Sequence, residues 1–393
     1  MAAMSEDQFT PVTTDEQRLR QLTDYLEEHV ACFADPLPVP PPRPAGSGAH
    51  PGWLAEVRAA RDRANAMAAR RPDAVVHAAM LVLGAGVNHT APFTAYARPG
   101  TTWREVRIPV PARPGWPAGA LARGDGGADP FPEPAPPAGV APVAEIGATV
   151  FTPTEPTGAV VIAAHGATWW MGDGAAREAG FSPDCAALAE RSGAIVVDVD
   201  YRLAPEHPLP AAVADLRAAV DWAAAELGAT PATTVLWGTS SAGQVCTLAA
   251  LTGAEVASLA LTMPAVDLAG YEPGTMAWIF GAAVDPASAV ASPVHADPAL
   301  LPRLHVQLAS HDDMAHGGAE LAAAAAAAGG AAEVVEFLGT HLVTPPAVHR
   351  ARITDLARHV LAATGTSRKL PADPAGEYDK AAVDAANEAS WRR

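Results

Sequence analysis

The sequence predicts an α/β fold: a mostly parallel central sheet flanked by helices, preceded by a helical N-terminal region. Three observations predict it. Short β-rich runs recur at 159–164, 194–199, 234–237, 258–262, 304–309 and 333–337. Most of these runs are apolar nearly throughout, as strands covered on both faces must be. Helix-like segments separate most of them, and 49% of the 393 residues are apolar, ample for a packed core, in a length that allows two domains or one enlarged α/β domain.

The elements follow in chain order. Thr14-Asp15-Glu16-Gln17 reads as a capping box, and Leu19, Leu22, Leu26 and Val30 then form a helical stripe. The run Pro36–Pro44 cannot continue a helix and predicts an extended linker. A second helix is expected from Gly52 toward Arg71, making residues 1–100 a helical cap or extension. From Trp103 the pattern turns to strands: Trp103–Val110 is expected to pair with Ala144–Phe151, across a Pro/Gly-rich surface loop at Pro111–Pro142. Pro210–Leu227 reads as a helix with Val213, Leu216, Val220 and Leu227 on one face and Gly228 as its stop. The alanine run Ala322–Ala328 predicts another helix. Residues 101–365 form the α/β domain, and 366–393 a polar tail.

Composition excludes several functions. With 26 basic and 43 acidic residues the formal charge is −17, which argues against nucleic acid or an anionic membrane as partner. No apolar run reaches the ~18–20 residues of a membrane span, the nearest being Ala74–Val87. The N-terminus has neither a basic start nor an apolar stretch, so a cytoplasmic location is expected. Cys32, Cys185 and Cys246 lie too far apart for a metal or redox spacing.

The chemistry begins at TVLWGTSSAGQV, residues 234–245. A β-run ending in Gly-Thr-Ser-Ser-Ala-Gly before a helix is the setting of a nucleophile elbow, a sharp turn that exposes a serine hydroxyl. Strand and helix backbones come close there, so the positions two before and two after the serine must be small. Ser240 has Gly238 and Ala242 at those positions; Ser241, the alternative, has the bulkier Thr239 and Gly243. Upstream, the run 159–164 leads into His165-Gly166-Ala167-Thr168-Trp169-Trp170, where backbone N–H groups can face a developing oxyanion. His165 reads as a residue that positions this loop.

These motifs together resemble the hormone-sensitive-lipase-like carboxylesterases of the α/β-hydrolase family. DYRLAPEHPLP, residues 200–210, matches the segment that this branch carries between its oxyanion loop and its elbow. The family's His-Gly-Gly-Gly stands here as His165-Gly166-Ala167-Thr168, and its Gly-Asp-Ser-Ala-Gly-Gly aligns on 238–243, which favours Ser240. The likeness covers roughly 103–364. It implies an α/β-hydrolase fold and a Ser-Asp-His triad, with the acid on Asp312 (Asp313 as its neighbouring alternative) and the base on His341 (His349 as alternative). The oxyanion donors would be the N–H groups of Gly166, Ala167 and Ser241. The family's Gly-x-x-His-Gly-Phe is altered, since His341 comes one residue early and precedes Leu342 and Val343.

Ala167 and Thr168 replace glycines, and the donors are expected to survive only if φ stays negative there. Trp169, Trp170 and Trp278 are expected to line an apolar substrate pocket. Asp200/Arg202 and Glu206/His207 are expected to hold a buried loop. A metal reading of His311, Asp312, Asp313 and His316 lacks a third histidine at helical spacing. The resulting expectation is a serine esterase acting on a small-molecule ester of modest apolar acyl groups, without metal or organic cofactor. An amidase or arylformamidase with the same triad, or a non-catalytic ligand binder, is the alternative; a homodimer is implied by the resemblance alone.

Overall fold

Alternate residues of the central strands enter two different cores, as a strand covered on both faces requires. In the computed structural model, which describes residues 15–42, 51–83 and 101–370, Val160, Ile162 and Ala164 pack into one core and Val161 and Ala163 into the other. The same alternation holds at Leu236 against Val235 and Trp237.

The N-terminal region comprises α1 (Asp15–His29), α2 (Ala31–Ala34), α3 (Pro51–Ala68) and α4 (Arg71–Leu83). The strands are β1 (Thr102–Pro109), β2 (Ala120–Ala122), β3 (Ala128–Pro130), β4 (Glu145–Thr152), β5 (Val160–Ala164), β6 (Ile195–Asp200), β7 (Thr234–Thr239), β8 (Ser258–Thr262), β9 (Arg303–His311) and β10 (Ala332–Thr340). The remaining α-helices are α5 (Gly174–Gly180), α6 (Ser182–Ser192), α7 (Pro210–Leu227), α8 (Ser241–Leu251), α9 (Pro273–Phe280), α10 (Gly318–Ala327) and α11 (Pro346–Thr364). Eight strands form one sheet in the order β1-β4-β6-β5-β7-β8-β9-β10. The β1–β4 and β4–β6 pairs are antiparallel and the rest parallel. Helices α7, α8 and α10 bury one face of the sheet, and α6 and α11 the other. The fold is the α/β arrangement expected, with the strand pairing 103–110 against 144–151 nearly in its expected place.

One expectation needs correction. The segment 111–142 is not a plain surface loop: it contains the β2–β3 hairpin, turned at Gly126 with φ +82°. Buried Leu121 and the stacked rings of Trp116 and Phe131, 4.9 Å apart, anchor it on the core. The helix expected from Gly52 toward Arg71 is present as α3, ending at Ala68, and a further helix, α4, starts at Arg71. Pro72 explains the break, because it has no N–H for a helix interior but is accommodated in a first turn. The Thr14 cap lies outside the described residues, as does the tail beyond 370, while the stripe Leu19, Leu22 and Leu26 is buried against Val75, Ala78 and Ala79 of α4.

The N-terminal helices cover the C-terminal ends of the parallel strands. Arg61 of α3 donates to the carbonyls of Trp170 and Ala204 and forms an ion pair of 2.6 Å with the buried Glu206. Asn65 accepts from the N–H of Gly172 at 2.8 Å and donates to Asp173. The 200–210 motif is therefore held by partners outside itself: Arg202 pairs with Asp215 on α7, Asp200 lies 3.8 Å from Arg177, and Glu206 meets α3. Among the described residues no helix is long and apolar enough to cross a membrane.

Candidate active site

Ser240 sits at the turn from β7 into α8 with φ +50° and ψ −122°, a conformation L-residues rarely adopt. The surroundings over-determine it: its N–H donates to Thr262 O at 2.9 Å, and its carbonyl accepts from Gly243 and Ala265 N–H at 2.8 and 3.0 Å. The small flanking residues are required by contact. A Cβ on Gly238 would strike the carbonyl of Ala242 and approach Cys246 Sγ to 2.7 Å, and one on Gly243 would come within 2.5 Å of Pro264.

Three loops bring three side chains into one line. Ser240 Oγ lies 2.9 Å from His341 Nε2, on the loop after β10. The Nδ1–H of His341 faces Asp312, after β9, at 2.8 Å from Oδ2 and 3.0 Å from Oδ1. Asp312 Oδ1 also accepts from the N–H groups of Met314 and Ala315 at 2.9 and 3.0 Å. Burial pushes the Asp312 carboxyl up, but the hydrogen bond and charge of His341, with those two N–H groups, outweigh it and hold it below its ordinary range. The alternatives lie elsewhere. Ser241 is buried and its hydroxyl accepts from Trp169 N–H at 3.3 Å; Asp313 is exposed; His349 Nε2 faces Asp184 at 2.9 Å. The suggested cluster of residues 311–316 does not converge, since His311 Nδ1 meets Ser310 Oγ and Asp312 turns to His341. Among the described residues the histidine and carboxylate ligand atoms that do converge are those of His305, Glu333 and His359, beyond this site.

The loop after β5 packs directly on the elbow: a Cβ on Gly166 would lie 2.8 Å from that of Ser240. Among the described residues no acceptor takes the N–H of Gly166, Ala167 or Ser241. The condition that the donors need a negative φ at Ala167 and Thr168 does not hold: these residues adopt +84° and +56°, and Trp169 +64°, while the Gly166 and Ala167 N–H groups stay without an acceptor among the described residues. Neighbouring contacts impose this backbone. His165 is buried, its Nδ1–H donates to Gly166 O at 2.8 Å, and its ring stacks on Tyr201 at 4.5 Å. Tyr201 Oη donates to His165 O at 2.6 Å, and Asn65 holds Gly172 at the far end. Burial lowers the His165 pKa, which keeps the ring neutral.

Ser240 and His341 open on a cavity of about 340 Å³. Its walls include Val75 and Val76 of α4, Leu37 of the linker, Phe181, Met263 and Met314. The three tryptophans expected to line it do not. Trp170 is buried with Ala60, Ala64 and Met171, Trp278 packs against that cluster, and Trp169 stands edge-on to Tyr271 at 5.7 Å. They seat α3 and the loop after β5. The polar part of the lining was not legible as such in the sequence: Arg71 on α4, Asp184 on α6, and His349 and Arg352 on α11. The one available signal was His349 and Arg352 three residues apart on the same side as buried Ile353 and Leu356, which places charge on an inward face.

Comparison with known proteins agrees with this architecture. Residues 161–343 match the family model described as alpha/beta hydrolase fold. The carboxylesterase NlhH of Mycobacterium tuberculosis is 43% identical over 89 residues, 22% of this chain and 27% of that protein. Lipase 2 of a Moraxella species is 44% identical over 69 residues, 17% of this chain and 16% of that protein. These matches thus span about a quarter or less of the curated relatives. A hyperthermophilic esterase from the archaeon Pyrobaculum calidifontis superposes with TM-score 0.58 at 21% identity, over 90% of this chain and 99% of that one. An esterase from the bacterial hormone-sensitive lipase family superposes with TM-score 0.56 at 17% identity, over 90% and 100%.

Proposed function

The chain has the α/β-hydrolase fold, with the likeness to hormone-sensitive-lipase-like esterases that its motifs carry, and we propose on that premise that it is a serine-dependent carboxylic ester hydrolase. The observation that carries the reading is the line Ser240–His341–Asp312, with contacts of 2.9 and 2.8 Å from three separate loops. Ser240 Oγ attacks the ester carbonyl while His341 Nε2 takes its proton, and Asp312 holds the imidazole with Nδ1 protonated. The N–H groups of Gly166, Ala167 and Ser241 receive the oxyanion, each such donor lowering the barrier by about 2.7–4 kcal/mol. His341 then returns the proton to the departing alkoxide, leaving an acyl group on Ser240. Water, deprotonated by the same imidazole, attacks the acyl carbonyl and restores the serine.

A fluorophosphonate probe tests this reading, because it is attacked only by an activated serine. The wild-type chain and Ser241→Ala are expected to label, and Ser240→Ala to lose labelling together with hydrolysis of 4-nitrophenyl butyrate. An unlabelled wild-type chain would overturn the assignment.

A further inference from the structure

The cavity beside Ser240 carries a charge opposite to that of the molecule around it. The chain is −17 overall, yet the lining holds two arginines, Arg71 and Arg352, against one acid, Asp184. That acid already faces His349 Nε2 at 2.9 and 3.0 Å. A low-dielectric cleft lined by one sign of charge concentrates ligands of the other sign.

Arg352 is the more telling of the two. It is 8% exposed, and its Nε is buried without a partner. Among the described residues its Nη1 faces only the thioether of Met263 at 3.9 Å, a weak acceptor. Its Nη2 lies 3.2 Å from His349 Nε2, the same atom that faces Asp184. One ring nitrogen carries either a proton or a lone pair, so it cannot donate to the carboxylate and accept from the guanidinium at once. With the carboxylate at 2.9 Å it donates, and among the described residues Arg352 is left with no oxygen acceptor. Asp184 favours its charge, but guanidinium N–H donors buried without an acceptor are costly, and Arg does not escape by losing its proton. The residues around the guanidinium, Met263, His349 and Asp184, all line the cavity, and Met263 directly follows β8, whose Thr262 O holds Ser240 N–H. The missing acceptor thus belongs to whatever fills the cavity. Arg71 adds a second cation to the lining, fixed by its Nε on Cys32 O at 2.9 Å and stacked over Phe33 at 5.2 Å.

We propose that Arg352, with Arg71, makes this site selective for esters that carry a carboxylate apart from the scissile bond. A guanidinium fork presents paired N–H donors that match a carboxylate's two oxygens. The monoester of a short dicarboxylic acid has the required chemistry, with its free carboxylate on Arg352 and its ester carbonyl at Ser240. The proposal rests on Ser240 being the nucleophile of an esterase.

Matched ester pairs differing by one charge test it. On the acyl side, mono-4-nitrophenyl glutarate is compared with 4-nitrophenyl pentanoate; on the alcohol side, the butyrate ester of 4-hydroxybenzoate with that of 4-hydroxybenzamide. In the wild-type chain the charged member of one pair is expected to have the higher kcat/KM by about tenfold, about 1.4 kcal/mol, chiefly through KM. The pair that shows it says which side carries the carboxylate. Arg352→Gln is expected to abolish that preference, Arg352→Lys to retain part of it, and glutarate to inhibit hydrolysis of the neutral ester competitively where pentanamide does not. A wild-type preference for the neutral member in both pairs overturns the proposal even if Arg352→Gln fails to fold. A charge preference unchanged in folded Arg352→Gln overturns it as well. Hydrolysis of neither member of any pair, with no fluorophosphonate labelling, would instead overturn the esterase reading beneath it.

Discussion

At the scale of single residues, Ala167, Thr168 and Trp169, in the loop proposed to bear the oxyanion donors, hold positive φ without being glycine. Ala167 at φ +84° carries a cost of about 1–2 kcal/mol for its Cβ, partly offset because alanine leaves the unfolded chain less entropy to lose, about 0.4–1 kcal/mol. The difference favours glycine. Ala167→Gly is therefore expected to raise stability by about 0.5–1 kcal/mol in urea denaturation, and a stability equal to or below wild type would show the loop to be unstrained. Gly166 tolerates no such exchange in the other direction, because a Cβ there meets that of Ser240 at 2.8 Å. The side chains that the structure brings into line were legible by type and order: a serine between small residues, then an aspartate and a histidine after later strands. The arginines of the cavity were not. They lie on α4 and α11, far apart in the chain, and only the closing of the N-terminal helices over the sheet brings them to one space.

At the scale of elements, the parallel strands were legible because burial on both faces leaves nearly continuous apolar runs, and α7 because its stripe and Gly228 agree. The β2–β3 hairpin was hidden, since its strands are too short to show a period and Trp116 and Phe131 act across the loop. β6 departs from the apolar rule with a charge. Asp198 in the middle of β6 is fully buried beside Arg177 at 3.2 Å and Ser182 at 2.6 Å. Burial raises its pKa to about 6, with Arg177 acting in the opposite sense. An unfolded aspartate titrates near ~3.9, so the folded state binds the proton more tightly. Its contribution to stability is full below pH ~4 and is lost as pH rises through about 6. Asp198→Asn removes this titration. Between pH 5 and pH 7 the stability of wild type relative to Asp198→Asn is expected to fall by about 1 kcal/mol, measured by denaturation at both pH values. A pH-independent difference would mean that Asp198 stays ionised throughout.

At the scale of the whole molecule, the acidic surface and the site are separate matters. The charge of −17 belongs to the chain as a whole, whereas the space beside Ser240 is bounded by α4, the linker residue Leu37 and α11. Arg61 and Asn65 of α3 bind this cover to the backbone of the oxyanion loop, so the wall cannot retreat without releasing Trp170 and Gly172. The volume, about 340 Å³, is near the lower end of the ~300–1,000 Å³ usual for small-molecule pockets. A long acyl chain would have to force the cover away from the loop that holds the oxyanion donors, so the apolar energy gained from extra methylenes is offset by displaced hydrogen bonds. Short acyl esters should consequently be turned over best. With a common 4-nitrophenyl leaving group, butyrate is expected to exceed dodecanoate in kcat/KM by about tenfold or more, a barrier difference of about 1.4 kcal/mol. Loosening the cover through Arg61→Ala should narrow that ratio by admitting the longer chain. A dodecanoate rate equal to that of butyrate in the wild-type chain would mean that the N-terminal helices do not limit the site, and that the acyl chain leaves it by another face.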